Sequence, residues 1–230
     1  MKQFFINNFN NAVQKNKNNI LDLLKYNESA KLLDLGCDNG DWTKHLAQKI
    51  GTKSVYGIDI NKQRYEVARK NGIIVKRGDL NNNFPFPKRF FDVVHSNQVI
   101  EHLYDTEKFI QEIYRVLKPS GYAIISTENL ASWHNIFPLF FGWQPFSLTN
   151  ISDHKLGVGN PLALHRNDEL LSHSWQHIRV FSYQALKEIF EINNFRVEKI
   201  LGAGYYPFFN QLAKLDPRHA SFLTLKLRKI

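Results

Sequence analysis

The feature that most constrains this chain is a regular alternation between Lys31 and Thr127. Short apolar segments are separated by segments of helical length. Lys31–Leu35, Ser54–Ile60, Ile73–Lys76, Phe90–His95 and Tyr122–Thr127 read as strands; Asp41–Ile50, Lys62–Asn71 and Thr106–Leu117 read as helices. Gly72 is a favourable residue just past the second helix, and Lys118-Pro119-Ser120-Gly121 closes the third. Parallel strands need a crossover connection, so this order predicts an α/β fold, a Rossmann-like, mostly parallel sheet with helices on both faces. Open sheets of that kind bind ligands beyond the carboxyl ends of their strands. Those ends fall here at Gly36, Asp59, Asp79 and Ser96-Asn97, where the residues are small or polar.

The flanks are less regular. Residues 4–26 form a weakly amphipathic helix, so residues 1–30 read as an N-terminal helical segment and 31–230 as the main domain. From about 130 to 177 the pattern breaks into an aromatic stretch (Trp133, Phe137, Phe140, Phe141, Trp143, Phe146) and then a Gly/Pro/His-rich one. A stretch this long without periodicity is functional or disordered, and its aromatics favour a lid insertion over the ligand crevice. Tyr183–Ile192 returns to helix, Arg196–Leu201 to strand, and Ser221–Leu227 alternates as a last strand.

A chain of 230 residues suits one domain with a full core. The single cysteine, Cys37, excludes an internal disulfide or a Cys/His finger. No signal peptide is legible in residues 1–20 and no apolar run reaches the ~18 residues of a membrane span. A soluble cytoplasmic setting is the expectation. The formal charge is +9, which alone would point to nucleic acid. The Lys and Arg residues are scattered, however, and no RNA-binding module is legible, so they read as a solvated coat that includes Lys226 and Lys229 of the tail.

The first strand–helix turn reads Leu-Leu-Asp-Leu-Gly-Cys-Asp-Asn-Gly over residues 32–40. Gly36 and Gly40 let the backbone pass close to a ligand, with the positive end of the following helix directed at it. The G-x-G-x-x-G spacing that seats a dinucleotide pyrophosphate is absent. Asp34, Asp38 and Asp41 would repel a diphosphate and suit a cationic ligand. About twenty residues on, Asp59 ends the second strand, where a carboxylate can accept from both ribose hydroxyls. Any one of these acids could be only a helix cap; together they favour a nucleoside ligand.

Four elements in order, DLGCDNG, YGIDIN, GDL…FPFPKRFFDVV and RVLKPSGYAII, resemble class I S-adenosylmethionine-dependent methyltransferases over roughly residues 30–128. The resemblance implies a seven-stranded sheet with an antiparallel last strand and S-adenosyl-L-methionine as cofactor. It would place Asp34, Gly36, Cys37 and Gly40 at the methionine end, Asp59 and Ile60 at the ribose and adenine, and Asp79 and Leu80 at the adenine ring, with Asp38 and Asn97 as further candidate cofactor-binding residues. Asp38 stands where many members carry glycine, a departure tolerable if its φ is negative.

The segment His95–Leu103 would face the reacting methyl. Gln98, Glu101 and His102 resemble the E-x-x-E-H of magnesium-dependent members such as small-RNA 2′-O-methyltransferases, and on a helix they would share one face. Gln98 in place of a carboxylate weakens such a site, so the expectation is no metal, with Glu101 and His102 making internal hydrogen bonds. His102 is the first candidate for a general base and His134 the second. His154, His165, His173 and His177 read as lid or surface histidines. The predicted reaction is methyl transfer to oxygen, with carbon second, of a small-molecule, glycan or lipid-linked acceptor. Peripheral membrane contact is compatible with this. A small-RNA 2′-O-methyltransferase and a non-catalytic cofactor-binding partner subunit are the rivals.

Overall fold

A computed structural model describes residues 2–152, 154–169 and 176–230. Its centre is one seven-stranded sheet of order β3-β2-β1-β4-β5-β7-β6, formed by β1 (Lys31–Leu35), β2 (Ser54–Asp59), β3 (Ile74–Arg77), β4 (Phe91–Asn97), β5 (Leu117–Glu128), β6 (Phe195–Ala203) and β7 (Phe222–Lys229). β1 to β5 run parallel, and β7 lies antiparallel between β5 and β6. The helices are α1 (Lys2–Leu23), α2 (Asp41–Ile50), α3 (Lys62–Lys70), α4 (Thr106–Val116), α5 (Trp133–Phe140) and α6 (Tyr183–Ile192). None of the described helices is long and apolar enough to cross a membrane.

The period-2 alternation of the central strands separates two cores. Leu32, Val93 and Ile124 pack with Leu46 and Ile50 of α2 and with Ile20 and Leu23 of α1. Leu33, Val94 and Ile125 pack on the opposite face with Phe109 and Ile113 of α4 and Phe190 of α6. Burial on both faces explains why these strands read as continuous apolar runs. Helix ends follow local chemistry. Asn61 caps α3 by accepting from the backbone N–H groups of Gln63 and Arg64, and Gly72 follows that helix at φ 82°.

Two expectations change. The Lys-Pro-Ser-Gly segment does not separate α4 from β5: the strand begins at Leu117 and runs through it, with a register shift against β4. The tail lysines are not a solvated coat, because β7 lies inside the sheet. Lys226 is buried, with its Nζ donating to Leu23 O at 2.6 Å and lying over the Tyr122 ring. Lys229 donates to the carbonyls of Tyr114 and Leu117. Burial lowers the pKa of both.

Candidate functional site

The β1–α2 turn is built on left-handed backbone: Gly36 has φ 74°, Asp38 47° and Gly40 82°. The N–H groups of Gly36 and Cys37 both donate to Ile58 O, which pins the turn to β2. A Cβ on Gly36 would stand 2.6 Å from Val99 Cγ2, so glycine is required there by both conformation and space. The condition set for Asp38, a negative φ, is not met. Aspartate tolerates this region when its local polar groups are satisfied. Its N–H donates to Asp59 Oδ2 at 2.8 Å, and its carboxylate lies 3.3 Å from Arg64 Nε. The Cys37 thiol is buried, and burial with Asp34 and Asp59 nearby pushes its pKa well up, so it is an inert packing group at neutral pH.

The acidic residues separate into floor and rim. Asp34 is buried; Thr43 Oγ1 donates to one oxygen and His95 Nδ1 lies 2.7 Å from the other. Its carboxylate therefore props the turn from beneath and does not line an open surface. Asp59 sits at the rim. It accepts from the backbone N–H groups of Asp38 and Asn61, and burial raises its pKa. Two backbone donors leave a carboxylate further acceptor capacity, which fits the vicinal hydroxyls of a ribose. Ile60 beside it is half-exposed and offers an apolar face. Asp79 is exposed and accepts from the N–H and side chain of Asn81, whereas Leu80 is buried in the core. Asn97 at the end of β4 accepts from Asn16 Nδ2 of α1.

A cavity of about 270 Å³ lies beyond the ends of β5 to β7. Phe9, Phe146, Leu162 and Phe222 make its lining largely apolar, while His134, Glu128 and His177 add polar atoms. His134 shares a hydrogen bond with Ser221 Oγ, and burial pushes its imidazole down to about 4. Near the cavity, the donor atoms of Glu101, His102 and His177 all lie within 4.8 Å of one another. Gln98 to His102 do not form the expected helix face. Only a three-residue 3-10 turn, Ile100–His102, is present, and Gln98 precedes it at φ 56°. Neither oxygen of the buried Glu101 carboxylate makes a hydrogen bond of good geometry; its own backbone N–H and the Thr127 hydroxyl lie near enough to offset part of the burial. Burial raises the Glu101 pKa to about 7 and lowers that of His102. His102 Nδ1 bonds to Gln176 O. His154 and His165 are exposed, and His173 lies outside the described residues.

Several contributors had no sequence signal. Phe9 and Ala12 of α1 line the cavity. Asn16 joins three strands by donating to Asn97 and accepting from Ser126 and Thr224. The aromatic stripe also divides: Phe146 faces the cavity and Trp133 stacks on His219, whereas Phe137, Phe140 and Phe141 are largely exposed.

The family model "Methyltransferase domain" matches residues 9–200. A demethylmenaquinone methyltransferase of Listeria welshimeri is 31% identical over 134 residues, covering 53% of this chain and 56% of that protein. One of Lactobacillus johnsonii is 30% identical, covering 75% and 72%. The mitochondrial ubiquinone biosynthesis O-methyltransferase of Rattus norvegicus is 29% identical, covering 77% and 48%. The chain thus spans little more than half the length of the Listeria relative it matches. Among solved structures, an S-adenosylmethionine-dependent methyltransferase of Thermotoga maritima matches in fold with TM-score 0.62 at 18% identity, covering 93% of this chain and 87% of that one. One of Mesorhizobium loti matches with TM-score 0.61 at 16%, covering 92% and 96%. Taken with the glycine turn and the Asp59 rim, the match over residues 9–200 shows that this chain belongs to the methyltransferase-domain family.

Proposed function

We propose that the protein transfers a methyl group from S-adenosyl-L-methionine to an oxygen of a small, mainly apolar acceptor. Carbon is the second choice of target. The observation that carries this reading is the apolar cavity beyond β5 to β7, with histidines and a carboxylate at its wall. Such a cavity suits a hydroxylated aromatic ring better than a glycan, whose hydroxyls would lose hydrogen bonds on entering it. Relatives named for demethylmenaquinone and ubiquinone biosynthesis make quinone-ring precursors the first acceptors to test.

The bound cofactor supplies a methyl group on a sulfonium, which is already electrophilic. The chain's own work is to hold and align. Gly36 and Gly40 allow close approach of the turn, Asp59 takes the ribose hydroxyls, and Ile60 flanks the base. The cavity fixes the acceptor oxygen in line with the methyl, and such positioning supplies much of the acceleration. As the O–C bond forms, the S–C bond breaks with its electron pair going to sulfur, and the hydroxyl proton leaves. We place that proton loss at Glu101, His102 and His177. His134, whose imidazole is pushed down to about 4, is a weaker base and serves as a hydrogen-bonding wall.

The test is tritiated methyl transfer to a panel of hydroxylated quinone precursors, glycans, lipids and RNA. Label on the hydroxylated ring compounds is the expected result. Label on RNA alone would overturn the acceptor assignment, and binding of cofactor without transfer to any compound would favour a partner subunit.

A further inference from the structure

We propose that Glu101, His102 and His177 form a site for a divalent first-row transition cation at the edge of the cavity. Three independent features of the cluster point to a ligand. The two histidines are oriented alike: His102 Nδ1 bonds to Gln176 O at 2.9 Å and His177 Nδ1 to Ser147 O at 2.6 Å. A carbonyl only accepts, so each Nδ1 carries the hydrogen and each Nε2 presents a lone pair. This is the arrangement that outer carbonyls impose on metal-ligating histidines. The rings meet edge-on, with centroids 4.8 Å apart.

The second feature is Glu101. It is completely buried, and neither carboxylate oxygen makes a hydrogen bond of good geometry, the Thr127 hydroxyl and its own backbone N–H being the nearby donors. A buried carboxylate without well-formed hydrogen bonds is costly, and coordination is one of the few ways to satisfy it. The third is charge. Glu128 Oε2 is also buried without a hydrogen bond, 3.7 Å from His177 Nδ1, and neither acid has a Lys or Arg ion-pair partner among the described residues. Two carboxylates gathered in an apolar wall balance one divalent cation.

The donor set selects the ion class. Two imidazoles and one carboxylate suit zinc and its transition-metal neighbours and disfavour magnesium, which prefers oxygen ligands and keeps its waters. Ligands about 2.0–2.2 Å from one cation stand roughly 3–4 Å apart. One ligand atom from each of the three lies within 4.8 Å of the others, so they must draw together by roughly 1 Å to close on one ion. Three protein ligands leave a position open, and His177 also lines the cavity. If the reading of the cavity as the acceptor site holds, an acceptor hydroxyl would enter that position, the three ligands would act through the cation by lowering its pKa, and Glu128 at the cavity wall would take the proton.

The test uses the untagged 230-residue protein, stripped with a chelator and titrated with Co²⁺ and Zn²⁺ by visible absorption and calorimetry. One equivalent per chain should bind, with a d–d spectrum of low coordination number. His177→Ala and Glu101→Gln should each weaken binding at least about tenfold, while His45→Ala, on the surface of α2, should leave it unchanged. No saturable binding, or equal affinity in the His177→Ala and wild-type proteins, would overturn the site. Because Glu101→Gln could perturb folding, circular dichroism and cofactor affinity are measured on the same samples. Intact cofactor binding and methyl transfer without metal binding would reject the cation and leave the proposed function standing. Loss of cofactor binding in the wild type would instead strike the functional reading.

Discussion

The two walls of the crevice solve opposite problems. On the β1–β2 side the buried or half-buried carboxylates are engaged: Asp34 by Thr43 and His95, Asp59 by two backbone N–H groups. His95 Nε2 and Trp42 Nε1 are the buried atoms left without partners there. On the β4–β5 side, Gln98 Nε2, both oxygens of Glu101, Thr127 Oγ1 and Glu128 Oε2 make no hydrogen bond of good geometry. A wall that only binds can be completed by its own hydrogen bonds, which fix geometry before the ligand arrives. Under the proposed function, the β4–β5 wall does the chemistry, and its groups find their partners when the ligand arrives, at a cost in stability.

The contrast can be broken by substitution. The largest effect is expected for Asp34→Ala, which strands two buried donors. It should destabilise the fold by about 3 kcal/mol or more, with Tm falling by roughly 6–12 °C in a thermal melt. A change below about 1 kcal/mol would mean that the engaged wall is not built as described. Asn16→Ala removes the link between α1 and three strands and should cost about 2 kcal/mol by denaturant unfolding.

The effect of His134 should appear as a pH dependence. Its folded pKa lies below the ordinary histidine value, at about 4, so on acidification the unfolded chain takes up the proton first. The stabilising contribution is fully present above about pH 6.5 and fades as pH falls towards 4. Between pH 7 and 5 the loss should be about 1–2 kcal/mol, and His134→Asn should flatten it. A slope unchanged by that substitution would place the titration elsewhere. The smallest effect sharpens the contrast from the other wall. Thr127→Val removes the hydroxyl beside the buried Glu101 carboxylate and should change stability by less than about 1 kcal/mol, because no well-formed hydrogen bond is lost. A clear loss of stability would show that the hydroxyl is engaged.

What was legible in the sequence follows the same division. The β1–β2 side is made by contiguous segments, so the glycine turn at Gly36 and Gly40 and the strand-end carboxylate of Asp59 could be located from the sequence. The sheet was legible because burial on both faces leaves apolar runs. The β4–β5 side is made by residues far apart in the chain: Phe9, Glu128 and His177 line one cavity only once the sheet has formed, and nothing local marks them. His102 could be singled out from its neighbours, but its ring partner His177 could not. The positive φ of Asp38 has no local signal, because the acceptor of its N–H, Asp59 Oδ2, lies at the end of another strand. The tail lysines were misread because composition does not reveal that the last strand inserts between β5 and β6.

The central claim is that the turn after β1 and the carboxylate after β2 hold S-adenosyl-L-methionine. Calorimetry on the wild type, Asp59→Ala and the surface control Glu188→Ala tests it most directly. The account predicts one cofactor per chain, an affinity loss of about 10–100-fold for Asp59→Ala, and no change for Glu188→Ala. No binding by the wild type, or equal losses in the two variants, would contradict it.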